Sequence, residues 1–128
     1  MVNIFIVEDD MSTMFLFQKY LELNGLKIVA SAKNGIEAIN MYNTLSPKPD
    51  LILMDYQMPG INGADTTKEI LKIDNNAKII IMSSDKSAKN NALSAGAVSF
   101  REKSLPFSSF INDIKRDICK ILCPKGVS

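Results

Sequence analysis

Five short runs rich in Ile, Val and Leu recur along the chain, at residues 2–7, 27–30, 51–54, 78–82 and 97–100, and a longer segment of helical spacing follows each. Most of these runs are apolar at consecutive positions rather than at alternate ones. Such a strand has no wet face. It must be covered on both sides, as in a parallel sheet whose crossovers place helices above and below. The intervening segments supply those helices. Met14, Phe17 and Leu21 recur at helical spacing, as do Ala64, Thr67, Ile70 and Leu71. Phe107, Phe110, Ile111, Ile114, Ile118 and Leu122 form the clearest stripe, and residues 87–95 carry a weaker one made mostly of Ala. The pattern predicts an α/β domain, (βα)5, with one doubly wound five-stranded parallel sheet and right-handed crossovers.

The punctuation agrees. Asn24-Gly25 ends the first helix, with Gly suited to the left-handed position after it. Asn34 or Ser31 opens the second helix, and Pro47 and Pro49 close it. Pro106 suits the first turn of the last. With 128 residues, 46% of them apolar, the chain holds one core and not two. Fifteen Lys and Arg against fourteen Asp and Glu leave a net charge of +1, which gives no electrostatic case for direct nucleic acid binding or an anionic membrane. No run is long enough to span a bilayer, and the N-terminus lacks the pattern of a signal peptide. Cys119 and Cys123 are too few for a secreted disulfide scaffold. They fit a reducing, cytoplasmic setting, and one helical turn apart they read as ordinary helix packing. The sequence contains no His. That excludes His-based catalysis and His-ligated zinc, and leaves a metal only oxygen ligands, as a hard cation such as Mg²⁺ prefers.

In sheets of this kind ligands bind beyond the carboxyl ends of the strands, where strand order reverses. The first strand runs into Glu8-Asp9-Asp10, the third into Asp55, the fourth into Ser83-Ser84-Asp85, and Lys103 follows the fifth. One rim thus receives carboxylates, a hydroxyl and an ammonium. Two bare charges about 4 Å apart repel by roughly 4 kcal/mol at an effective dielectric of about 20. A divalent ion held by one or two carboxylates and waters removes that penalty.

Four segments carry a resemblance to a known family: Ile6-Val7-Glu8-Asp9-Asp10, Asp50 through Asp55-Tyr56-Gln57-Met58-Pro59-Gly60, Ile80-Ile81-Met82-Ser83-Ser84, and Gly96 through Phe100-Arg101-Glu102-Lys103. From about Asn3 to Leu122 the chain resembles the receiver domain of two-component response regulators, the chemotaxis-type single-domain receivers included. The resemblance implies a flavodoxin-like, CheY-like sheet of strand order 2-1-3-4-5. It implies a receiver over residues 1–123 and a tail or linker start at 124–128. Asp55 is then the phosphoacceptor, a carboxylate nucleophile that attacks a phosphohistidine and becomes an acyl phosphate. Glu8 and Asp9 hold Mg²⁺ (or Mn²⁺), Asp9 directly and Glu8 through water, with Asp55 and the Gln57 backbone carbonyl completing the protein ligands. Ser83 and Lys103 each take a phosphoryl oxygen, and Ser83 and Phe100 form the switch. The implied partners are a sensor histidine kinase or phosphotransfer protein, and a downstream effector or output domain reached through the face of the fourth helix, fifth strand and fifth helix. The chain is a monomer or a weak phosphorylation-dependent dimer on this reading, either free-standing or part of a longer regulator. It is a signalling phosphoacceptor rather than a turnover enzyme.

The chemistry of the residues agrees. A phosphoryl group in transfer spreads charge over three oxygens, and a metal, an ammonium and a hydroxyl are what stabilise it. Three departures from the common family pattern stand out: Glu8 for the first Asp, Ser83 for Thr, and Phe100 for Tyr. In addition Ser104 stands where Pro commonly follows the Lys, which leaves the geometry of the Lys103–Ser104 peptide open. Three other readings compete. A phosphorylation-independent pseudo-receiver would bind partners through the same fold. An aspartyl-phosphate phosphatase or phosphotransferase would need a second acid where Gln57 stands. A flavin or dinucleotide binder would need a Gly- or hydroxyl-rich loop where Glu8-Asp9-Asp10 stands. Asp10 is read as a structural acid near the rim.

Overall fold

The computed structural model describes residues 1–122; the expectations for Cys123 and for residues 124–128 lie outside the described residues. The elements run β1 (Asn3–Val7), α1 (Met11–Leu23), β2 (Lys27–Ala32), α2 (Gly35–Thr44), β3 (Leu51–Asp55), α3 (Gly63–Ile73), β4 (Ile79–Ser83), α4 (Lys89–Ser94), β5 (Ser99–Glu102) and α5 (Phe107–Leu122), with a 3₁₀ turn at Lys86–Ala88 leading into α4. The sheet has the order β2-β1-β3-β4-β5, and every neighbouring pair is parallel. After β1 the chain first goes out to β2 and then returns to the other side at β3. The crevice this reversal opens lies at the carboxyl ends of β1 and β3.

Alternate residues of the three central strands feed two cores. Ile4, Ile6, Leu51, Leu53, Ile80 and Met82 pack with Phe17 and Leu21 of α1 and Phe110, Ile111, Ile114 and Ile118 of α5. Phe5, Val7, Ile52, Met54, Ile79 and Ile81 pack on the opposite face with Ala38 and Tyr42 of α2, Ile70 of α3 and Ala92 of α4. Each fully buried Ile, Leu or Phe contributes about 1.5–3 kcal/mol of transfer free energy, so these strands are the most firmly held part of the fold. Among the described residues no helix is long and apolar enough to cross a membrane.

Local chemistry sets the element ends. Asp10 caps α1: its Oδ2 accepts the Thr13 N–H at 2.8 Å and the Thr13 hydroxyl at 2.6 Å. Asn34 caps α2 by accepting the Glu37 N–H at 2.8 Å, while Ser31 lies inside β2. Gly25 follows α1 at φ 80°, as the Asn-Gly pair predicts. Pro106 stands just before α5, and its carbonyl accepts the Ser109 N–H at 3.1 Å.

The structure corrects the sequence reading in three places. The fifth strand lies two residues later than 97–100. Ala97 lies in the turn that closes α4, with its N–H on the Ala92 carbonyl at 3.2 Å, and pairing with β4 starts at Val98. The second strand reaches Ala32 rather than Ala30, because its register shifts against β1 between Ile4 and Phe5 and leaves Val29 as an extra residue. That bulge puts Ile28 against one core and Ala30 against the other, and it disrupts an exposed sheet edge. Cys119 is exposed on α5 and does not pack inward. The Lys103–Ser104 peptide, whose geometry the sequence leaves open, is not among the cis bonds of the described residues, which are Ser46–Pro47 and Leu105–Pro106.

Candidate functional site

Glu8 and Asp9 follow β1 directly, and Asp55 is the last residue of β3. The reversal of strand order therefore places all three carboxylates at one crevice. One carboxylate oxygen from each lies within 4.8 Å of the others. Glu8 and Asp55 are buried, at 2% and 4% exposure, and Asp9 faces solvent. Lys103 comes from the far edge. Its N–H donates to the Ser83 carbonyl at 2.8 Å, which extends the β4–β5 pairing by one residue. The ammonium then lies 3.1 Å from Asp55 Oδ1 and 3.2 Å from Glu8 Oε1. Ser83, fully buried, stands one residue beyond Met82, the register partner of Asp55. Its Oγ accepts the Asp85 N–H at 3.0 Å, which leaves the hydroxyl proton available.

Close packing fixes the carboxyl end of β3, which carries Asp55. Tyr56 N–H donates to the Met82 carbonyl and Tyr56 C=O accepts the Gly63 N–H, both at 2.8 Å. A side-chain carbon at Gly63 would stand 2.4 Å from the Asp55 carbonyl oxygen, so only Gly lets α3 approach so near. Gln57 follows with its side chain exposed. Phe100 is half-buried on β5, in register with Ile81, and packs against the core that contains Ala92 of α4.

The electrostatics are unbalanced. Burial, then the charge of Asp55, raises Glu8 from the ordinary 4.5 to about 7, and Lys103 only partly offsets this. Burial likewise raises Asp55 against the pull of Lys103. Burial works against the Lys103 ammonium, but Asp55 and Glu8 outweigh it and hold its pKa above the ordinary lysine value. Three acids thus share one ammonium, and the deficit is one of positive charge. Asp10 has no share in the deficit: the Thr13 hydrogen bonds hold its carboxyl below the usual range, as a helix cap requires. Three oxygen donors of this kind, one of them open to solvent, suit a hard divalent cation.

The sequence reading of Glu8, Asp9, Asp55 and Lys103 as one cluster is what the geometry shows, with Ser83 at the adjacent strand end. Phe100 lies outside that cluster. Two features had no sequence signal. Tyr56 and Asn91, 35 residues apart, meet through a hydrogen bond of 2.7 Å. Arg101 and Asp117 form a bidentate pair between β5 and α5, with Arg101 Nη2 2.7 Å from Asp117 Oδ1.

The profile of the response regulator receiver domain matches residues 4–115, a span that contains every residue of the cluster. The chain belongs to the response regulator receiver family. The chemotaxis protein CheY of Thermotoga maritima is 38% identical over 100 residues, 77% of this chain and 82% of that protein. The CheY of Bacillus subtilis is 38% identical over 109 residues, 84% of this chain and 88% of that protein. Among solved structures, the response regulator TrrA of Thermotoga maritima, in complex with Mg²⁺ and a beryllium fluoride, is 30% identical with a TM-score of 0.78, covering 91% of this chain and 98% of that one. A chain of the CheX–CheY complex from Borrelia burgdorferi gives a TM-score of 0.85 over 96% of this receiver and 90% of its own length; at 24% identity it speaks for the fold alone. Receivers of this family serve phosphoacceptor signalling, and the acidic cluster of this one is compatible with Mg²⁺.

Proposed function

We propose that this receiver takes a phosphoryl group from a phosphohistidine onto Asp55. The observation that carries the reading is the buried Asp55 carboxylate, held 3.1 Å from the Lys103 ammonium and within 4.8 Å of two further acids. Asp55 Oδ attacks phosphorus, the phosphorus–nitrogen bond to the donor histidine breaks, and an acyl phosphate forms. Lys103 pairs with one phosphoryl oxygen, and Ser83 turns its hydroxyl proton toward another. Asp9, Asp55, the Gln57 backbone carbonyl and, through water, Glu8 would hold Mg²⁺ or Mn²⁺. The ion supplies the positive charge that Lys103 alone does not. Tyr56, Gln57, Ser84 and Asp85 border the site and control the approach of water to the acyl phosphate.

The module spans residues 1–123 and acts in the cytoplasm as a phosphoacceptor rather than a turnover enzyme. It takes its phosphate from a sensor histidine kinase or phosphotransfer protein. It signals to an effector or output domain through the α4–β5–α5 face, as a monomer or a weak phosphorylation-dependent dimer. A cavity of about 430 Å³ lined by Lys86, Lys89, Phe100, Arg101, Glu102, Ser104 and Asp113 supports that choice of face. Intact-mass measurement after incubation with a small phosphodonor and Mg²⁺ tests the acceptor. Wild type gains one phosphoryl group and Asp55→Asn gains none; an adduct of wild-type yield on Asp55→Asn contradicts the assignment.

A further inference from the structure

Tyr56 stands between Asp55 and Gln57, and three hydrogen bonds hold it. Two are backbone bonds, to Met82 of β4 and Gly63 of α3. In the third, Asn91 Nδ2 donates to the Tyr56 hydroxyl at 2.7 Å. Among the described residues this is the one side-chain hydrogen bond that joins α4 to another element. Its apolar anchorage is small: it spans six residues and buries Ala92, with the small side chains of Ala88, Ala95 and Ala97 buried at its flanks, and the 3₁₀ turn that leads into it is capped by Asp85. The Tyr56 ring packs against the same core as Ala92 and Phe100. Phe100 carries no hydroxyl, so the aromatic residue that can hydrogen-bond α4 here is Tyr56.

The partners of the bond differ in freedom. Tyr56 is fixed by its backbone to β4 and α3. Asn91 rides on a helix whose leading loop, through Asp85, is tied to the Ser83 hydroxyl at 3.0 Å. The Ser83 Oγ that would turn its proton toward an occupant of the acceptor site is the same atom that anchors this loop, so the loop and α4 are the parts free to respond, whereas the Tyr56 backbone is held on both sides.

We propose that the Tyr56–Asn91 hydrogen bond is a latch that holds α4 in the arrangement seen here, and that filling the acceptor site must break it. The proposal rests on the phosphoacceptor reading of Asp55. By linkage, whatever stabilises the empty arrangement weakens the occupant by the same factor. The latch therefore sets how readily the receiver switches, although neither residue touches the phosphoryl group.

Tyr56→Phe removes one hydroxyl and keeps the ring; Asn91→Ala removes the donor from an exposed position. Beryllofluoride affinity in excess Mg²⁺ is measured for wild type, both single variants and the double variant. Amide hydrogen exchange of residues 89–95 is measured in the metal-free protein. One exposed hydrogen bond predicts binding about 2- to 5-fold tighter in each single variant. The double variant binds no tighter than either, because the same bond is lost once. Exchange of residues 89–95 rises by a similar factor while α5 is unchanged. A purely structural role for Tyr56 would loosen the site and weaken binding. Unchanged or weaker binding, additive effects, or unchanged exchange in α4 overturns the latch and leaves the acceptor reading standing. Failure of wild type to bind beryllofluoride overturns the acceptor reading, and the latch with it.

Discussion

The two helices that flank β5 are built to opposite specifications. α5 runs for 16 residues and buries Phe110, Ile111, Ile114 and Ile118 under the sheet. Its Asp117 meets Arg101 of β5 in a two-point pair, one charge against one. α4 runs for six residues, buries one Ala, and is tied by one exposed hydrogen bond to Tyr56, the residue after Asp55. The charges at Asp55 are not balanced: Lys103 pairs with Glu8 and Asp55, and Asp9 adds a third carboxylate to the same cluster. A helix held by a large apolar area resists displacement, and a short helix with little buried area opens at lower cost.

Substitutions in α5 sharpen this contrast most. Ile114→Ala leaves a cavity under a fully buried side chain, and urea unfolding is expected to show a loss of about 2–5 kcal/mol. A loss below about 1 kcal/mol would break the contrast, because α5 would then be no better anchored than α4.

The charge imbalance has its own signature. The Glu8 pKa is raised on folding, from 4.5 to about 7. A raised carboxyl pKa means that the folded state binds the proton more tightly, so its contribution is full below pH 4.5 and is lost as pH rises through 7. At 1.36 kcal/mol per pH unit the full span is on the order of 3 kcal/mol. Metal-free protein is expected to become less stable from pH 5 to pH 7.5, and Mg²⁺ to restore stability more at the upper end. Glu8→Gln should flatten the profile. The carboxyls held low, Asp10, Asp74 and Asp85, act with the opposite sign, but at lower pH. A metal-free stability that rises through this window would place the imbalance elsewhere.

The smallest effect concerns the balanced pair. Asp117→Ala leaves the partly exposed Arg101 without its partner, and a loss of about 1–2 kcal/mol in urea is expected, with phosphoryl uptake at Asp55 unchanged.

What the sequence made legible follows this same division. The strands buried on both faces and the α5 stripe are legible, because apolar periodicity reports burial directly. Glu8, Asp9, Asp55 and Lys103 were legible because strand ends are few and topology brings them to one rim. The poorly buried parts were misplaced. Ser99, Arg101 and Glu102 make β5 an edge strand without an apolar run, so the apolar Ala97 and Val98 drew the boundary two residues early. The bulge at Val29 inverts the alternation of β2 and cannot be seen without its partner strand. Tyr56–Asn91 and Arg101–Asp117 join side chains far apart in sequence, and no local pattern foretells them.

The most direct measurement is a comparison of backbone amide shifts with and without beryllofluoride and Mg²⁺. Large changes are expected through residues 85–100, which include α4 and the Phe100 position, together with the loops after Asp9 and Asp55. The buried face of α5 should stay where it is. Changes confined to the two loops, with residues 87–100 silent, would contradict this expectation.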